Sequence, residues 1–401
     1  MNHPLLALTF AAFAACSDPN PGTNDAGPVN TCAAPTGAGT THADFVTANE
    51  TWTAADSPHL VTASIRVDTG VTLTIEPCAV VRLGASNHIE VDGALVAEGT
   101  ADKPIAFEEN DSQPWGYVSV FAPGTVSLAY ATLTGGGGDE TNAYGALEAR
   151  SDQTAPAQPA LKVSHVTVAG SAAYGVSLRT GATFTNDSTS LDVHGSAKAP
   201  LRIVPRLATN VPTGTYTGNG VHAIVVETEA YGDVTLEDVA FHDRGVPYQI
   251  GGEKTVGTFV VGGGSTLATL TLDPGVTFRF VKGSGAVLHV DKGTTSAAAT
   301  GALVANGTAT QPVVFTSAAA PPAAGDWVGL DFGNVPSGTD RLDHVEVHYA
   351  GADPQANGFH CLPNGSVSAD EKAAISIYGQ PAPGMIANSV FAELEGAGIN
   401  L

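Results

Sequence analysis

The sequence predicts an all-β fold, a right-handed parallel β-helix in which short strands stack coil upon coil. Three observations predict it. A set of apolar blocks recurs in the same order about 200 residues downstream. Within each block apolar and polar residues alternate for a few positions before Pro, Gly or Asp turns the chain. Hydrophobic residues make up 43% of the chain but aromatics only 6%, so Val, Leu, Ile, Ala and Thr must build the core, and these suit stacked strands.

From the N-terminus, residues 1–15 read as an export signal. The apolar run 4–15 (PLLALTFAAFAA) has the length of a signal core and is too short to span a bilayer. Phe13, Ala14 and Ala15 precede Cys16 and resemble a bacterial lipobox, which implies lipidation at Cys16, a membrane anchor and a place at the outer membrane or cell surface. Cleavage near Ala14 or Ala15 with ordinary secretion is the rival expectation. Residues 16–48 are rich in Pro, Gly, Asn, Asp and Thr and predict a flexible tether. Beyond the signal no apolar run of about 18 residues exists, so no membrane span is expected.

Residues 49–401 predict one solenoid. Segment 72–83 (TLTIEPCAVVRL) matches 269–280 (TLTLDPGVTFRF), and 93–107 (GALVAEGTADKPIAF) matches 301–315 (GALVANGTATQPVVF). Trp115 matches Trp327, and 128–134 (LAYATLT) matches 342–348 (LDHVEVH). Leu73 and Ile75, then Val81 and Leu83, then Leu95, Ile105 and Phe107 alternate toward an interior. The middle region repeats the outline with looser spacing, as in Val163, Val166 and Val168. No sustained helical period appears, which weakens a βαβ reading.

These phrases resemble the rungs of right-handed parallel β-helix proteins of the pectin-lyase-like type, particularly secreted bacterial ones. The resemblance runs from about Trp52 to Leu401 and specifies fold better than chemistry. It implies that lyase and hydrolase sites be sought, yet there is no W-I-D-H stretch, D-D pair, G-H-G or R-x-K. One departure stands out: Pro274-Gly275 of the second copy is Pro77-Cys78 in the first. Gly permits a positive φ and Cys does so only at a cost. Either the first corner is a type I turn or a disulfide holds Cys78.

Four cysteines leave Cys32, Cys78 and Cys361 if Cys16 is lipidated, enough for one disulfide in an oxidising compartment. Cys32 with either of the others is the preferred pairing. The net charge of −23 argues against nucleic acid, whose phosphates need a basic footprint. Its plain meaning is a soluble acidic exterior; weak binding of calcium or cationic glycans is the sharper one, and no other cofactor is expected.

Several side-chain groups invite chemistry. His344, Glu346 and His348 alternate and would share one strand face, as a metal strip or a solvated edge. His88, Glu90 and Asp92 form a similar strip. Asp243 with Arg244 and Glu237 (or Asp238) is the nearest thing to an acid/base cluster, though a local turn contact explains it as well. Trp115 and Trp327 are candidate sugar-stacking platforms or packing residues. The expected function is a non-catalytic scaffold binding a glycan or partner protein along a lateral face; the alternative is a polysaccharide lyase or glycoside hydrolase with an atypical site. A lateral face gathering two or more carboxylates with Arg or Lys would favour the enzyme.

Overall fold

A computed structural model describes residues 29–138, 145–152, 157–228, 233–235, 237–252, 257–283, 285–291, 299–333, 335–352 and 372–401. Cys16 and Cys361 lie outside them. The chain is a right-handed parallel β-helix. Among the described residues every registered strand pair is parallel, in two twelve-stranded sheets, one of six strands and one of five. Among the described residues the only helical turns are two short 3₁₀ segments, Ala54–Asp56 and Pro205–Asn210. Such short strands cannot bury apolar side chains singly; stacking buries one face of each against the coil interior.

The interior contains the alternating residues of the sequence. Leu73, Ile75, Val81, Leu83, Leu95, Ile105 and Phe107 are all buried, as are Val163, Val166 and Val168. The second half substitutes aromatics: Phe241, Tyr248, Phe259, Phe278 and Phe315 pack edge to face, tilted or, for Phe259 on Phe278, stacked along the axis.

Side chains must alternate, yet each coil must also turn. Where a strand bends between two faces, one residue adopts a left-handed conformation: Tyr130 (φ 44°), His165 (54°) and Ser190 (51°) on successive rungs, and His344 (51°) and Asn388 (49°) further on. The ladder resumes beyond them in register, Ala131 with Val166 and Val166 with Leu191.

Stacking begins ahead of residue 49. Thr40–His42 pairs with His59–Val61, and Val46 bridges Val67. Thr31 donates its N–H to the Asp102 carbonyl at 2.7 Å, and Cys32 forms a disulfide with Cys78. The later part of the expected tether thus lies on the solenoid. Cys78 has φ 69°, beside φ 87° at its counterpart Gly275. The corner is left-handed in both copies, and in the first a disulfide holds the residue that pays the steric cost.

The two copies do not stack on the same faces. Val80–Leu83 belongs to the sheet that starts at Thr40, while its counterpart Thr277–Phe280 continues the sheet that contains Ile89–Val91 and Val118–Phe121. The second copy is therefore turned by one face about the helix axis.

Candidate functional site

The sheet containing Ile65–Val67, Ile89–Val91, Val118–Phe121, Gly145–Arg150, Tyr174–Leu178, Leu201–Ile203 and Ile224–Val226 presents an outward column in strict register. Arg66 lies under Glu90, then come Ser119, Glu148, Ser177 and Arg202. Alternation dictates the placement: Val118, Val120, Leu147, Val176, Leu201 and Ile203 face inward, so the residues between them face out. At about 4.8 Å per rung, these seven strands span about 29 Å.

Ion pairs climb this face. Arg66 Nε sits 3.0 Å from Asp68 and 3.6 Å from Asp92. Arg150 Nη2 donates to Glu90 Oε1 at 2.9 Å, and Arg179 Nη1 donates to Glu148 Oε1 at 3.2 Å. Arg202 pairs with Glu227. Residues 178–180, 202–204, 227 and 228 line an open cleft at its upper end, and Arg66, Glu90, Asp92, Phe121 and Arg150 line a second lower down.

The centre of the column is buried although it faces outward. Ser119, Glu148 and Ser177 are 1%, 0% and 0% exposed. Among the described residues Ser119 Oγ, Glu148 Oε2 and Ser177 Oγ have no hydrogen-bond partner, and buried polar groups without partners are rare enough to demand a reason. Burial raises the Glu148 carboxyl above its ordinary value, opposed by the positive charges of Arg179, Arg150 and Arg202.

The residues singled out from the sequence sit elsewhere. Asp243 Oδ1 accepts from the Gly245 N–H at 2.8 Å, and Arg244 donates through Nε and Nη2 to the Val211 carbonyl at 3.1 and 2.7 Å. These contacts brace a turn. Asp238 accepts from the Thr269 N–H, whereas the half-buried Glu237 leaves Oε1 without a partner among the described residues. His242 turns to Asp273 one rung on, at 2.7 Å.

The His344 strip needs correction. His344 occupies the left-handed bend between Arg341–Asp343 and Val345–His348, so strand alternation does not extend to it. It faces Asp343 at 3.0 Å, while His348 is held through Nδ1 by Glu393 (2.7 Å) and through Nε2 by Glu346 (3.2 Å). Although partial burial works against the charge, these two carboxylates raise the His348 pKa, and a protonated imidazole cannot ligate a metal. Of the lower strip, His88 stacks on Tyr117 while Glu90 and Asp92 engage arginines. Among the described residues no group of three or more His, Cys, Asp or Glu is arranged to hold a metal.

The two tryptophans also need correction as sugar platforms. Both are 0% exposed. Trp115 Nε1 donates to the Thr134 carbonyl at 2.7 Å and Trp327 Nε1 to the His348 carbonyl at 2.8 Å, so neither indole has a face to offer a ring in solvent.

Residues 240–357 match the family model of the pectate-lyase like beta helix domain. The chain carries a pectate-lyase-like β-helix domain. The matched segment of that domain lies above the arginine-bearing face, which spans residues 66–227. No curated protein and no solved structure matches the chain. Within the matched segment, His289 and Asp331 occupy adjacent rungs of the six-stranded sheet, both nearly buried, with Nδ1 and Oδ2 2.7 Å apart. By repeat position their strands, Val287–Val290 and Gly329–Phe332, correspond to Ile89–Val91 and Val118–Phe121. Both copies therefore carry a polar outward column on the strand that follows the tryptophan.

Sequence reasoning missed Arg150, Arg179, Arg202, Glu148 and Glu227. The available signal was an arginine recurring on consecutive rungs, in GALEAR (145–150), YGVSLR (174–179) and LRI (201–203).

Proposed function

We propose that the protein is an exported β-helix that binds an anionic polysaccharide along the face from Arg66 to Glu227. The observation that supports this most is the stacking of Arg150, Arg179 and Arg202 on nearby rungs of a chain whose net charge is −23. Guanidinium groups recognise carboxylates through paired donors, and a straight lateral face suits an extended chain. The Cys32–Cys78 disulfide supports an oxidising, extracytoplasmic location.

Titration with polygalacturonate and with a neutral glucan tests the reading. Polygalacturonate should bind, and Arg179→Ala with Arg202→Ala should weaken binding by about tenfold or more. Equal affinity for the neutral glucan would refute it.

A second reading, turnover of the bound polysaccharide, is favoured by one observation. The face gathers Glu90, Glu148 and Glu227 with arginines, and Glu148 is buried with its pKa raised, as suits a proton-donating carboxyl. Reducing ends or unsaturated products appearing on incubation with polygalacturonate, and lost in Glu148→Gln, would establish it; binding without product would leave a non-catalytic binder.

A further inference from the structure

We propose that an anionic ligand docking on this face draws Arg179 away from Glu148, and that Glu148 takes up a proton from solvent as it does so. The inference rests on the binding reading and describes how that same site is regulated.

The geometry concentrates the effect on one carboxylate. Glu148 is 0% exposed, and among the described residues its one hydrogen bond is accepted by Oε1 from Arg179. Its Oε2 has no hydrogen-bond partner among the described residues, and its neighbours in register, Ser119 below and Ser177 above, are neutral. The charged groups acting on it are Arg179, Arg150 and Arg202. Arg150 is bonded to Glu90 and Arg202 to Glu227, so Arg179 is the arginine bonded to Glu148 itself. The Arg179 side chain is 37% exposed, within reach of a ligand carboxylate in solvent.

Removing Arg179 would leave a buried carboxylate with no hydrogen bond. A buried charge in that position neutralises rather than persists. Burial already holds this carboxyl above its ordinary range, with Arg179 the largest of the charges pulling it down. Transferring Arg179 to the ligand therefore shifts the group further toward its acid form. The balance is simple: one proton leaves solvent, one O–H bond forms on Glu148, and the ligand carboxylate replaces Glu148 as the partner of Arg179.

Calorimetry of the full protein with a hexamer of galacturonic acid, repeated in buffers of different ionisation enthalpy, counts protons taken up on binding. Uptake approaching about one proton per bound hexamer near neutral pH is expected. Glu148→Gln should bind several-fold more tightly with no uptake, because Arg179 no longer has a carboxylate to leave. Arg179→Ala should bind more weakly, also with no uptake, which keeps the test sound if Glu148→Gln proves unstable. Binding without uptake in the unaltered protein, or uptake that persists in either variant, would overturn this inference alone. Absence of hexamer binding would take down the binding reading and this inference with it.

Discussion

Cys78 shows how one residue can depart from the pattern of its repeat and keep the backbone. Gly275 reaches φ 87° without a Cβ to obstruct it, whereas Cys78 at 69° carries the steric cost of a left-handed L-residue, about 1 kcal/mol or more. The disulfide to Cys32 closes a loop across a sequence separation of 46 residues, and such a closure stabilises by about 2–4 kcal/mol. The two effects separate experimentally. With the bridge removed in both proteins, Cys32→Ala/Cys78→Gly should be more stable than Cys32→Ala/Cys78→Ala by about 1 kcal/mol in urea denaturation. Equal stabilities would mean that the corner relaxes to another turn once the bridge is gone. The rule that a Gly position signals positive φ was legible in the sequence; which of two ways Cys78 would satisfy it was not, because the answer depended on a partner 46 residues away.

At the scale of the strand, the tryptophan rung is the clearest conserved device between the two copies. Each indole is buried and donates to a carbonyl about twenty residues on, at Thr134 or at His348. Trp327 also stacks on Phe280 with centroids 4.2 Å apart. Replacing either by Ala should cost about 3–5 kcal/mol, from lost burial and the cavity left behind. Because Trp115 and Trp327 present nothing to solvent, Trp115→Phe should leave polysaccharide affinity within about twofold while still lowering the melting temperature. Affinity that collapses with a modest loss of stability would reinstate the sugar-platform role. The strands themselves were readable from alternation, down to Leu73, Ile75, Val81 and Leu83. The outward column was not. Glu90, Glu148, Arg179 and Arg202 are neighbours only because loops of unequal length bring their strands into register, and unequal loops hide that register from a reader of the sequence. His344 failed for a related reason: one left-handed residue breaks the two-residue period, and side-chain type alone does not announce it.

For the molecule as a whole, charge is distributed unevenly. The chain has 39 acidic and 16 basic residues, and Arg66, Arg150, Arg179 and Arg202 share one lateral face. Salt therefore acts in two opposite directions. Screening, with a Debye length of about 10 Å at 0.1 M, relieves repulsion among the acidic residues while weakening attraction between the arginines and an anionic chain. Raising NaCl from about 20 to about 200 mM should increase the melting temperature by a few degrees and lower polygalacturonate affinity several-fold. Affinity independent of salt would show that the arginines do not carry the contact.

The offset of the two sequence copies also determines how much of the molecule one straight fibre can occupy. Glu148 belongs to the sheet on one side of the shaft, His289 and Asp331 to the sheet on another, because the later copy enters the spiral at a different azimuth. A thread lying parallel to the long axis over the first polar strip must pass the second without meeting it. Doubling of the sequence has thus produced two differently aimed flanks rather than one lane of twice the length.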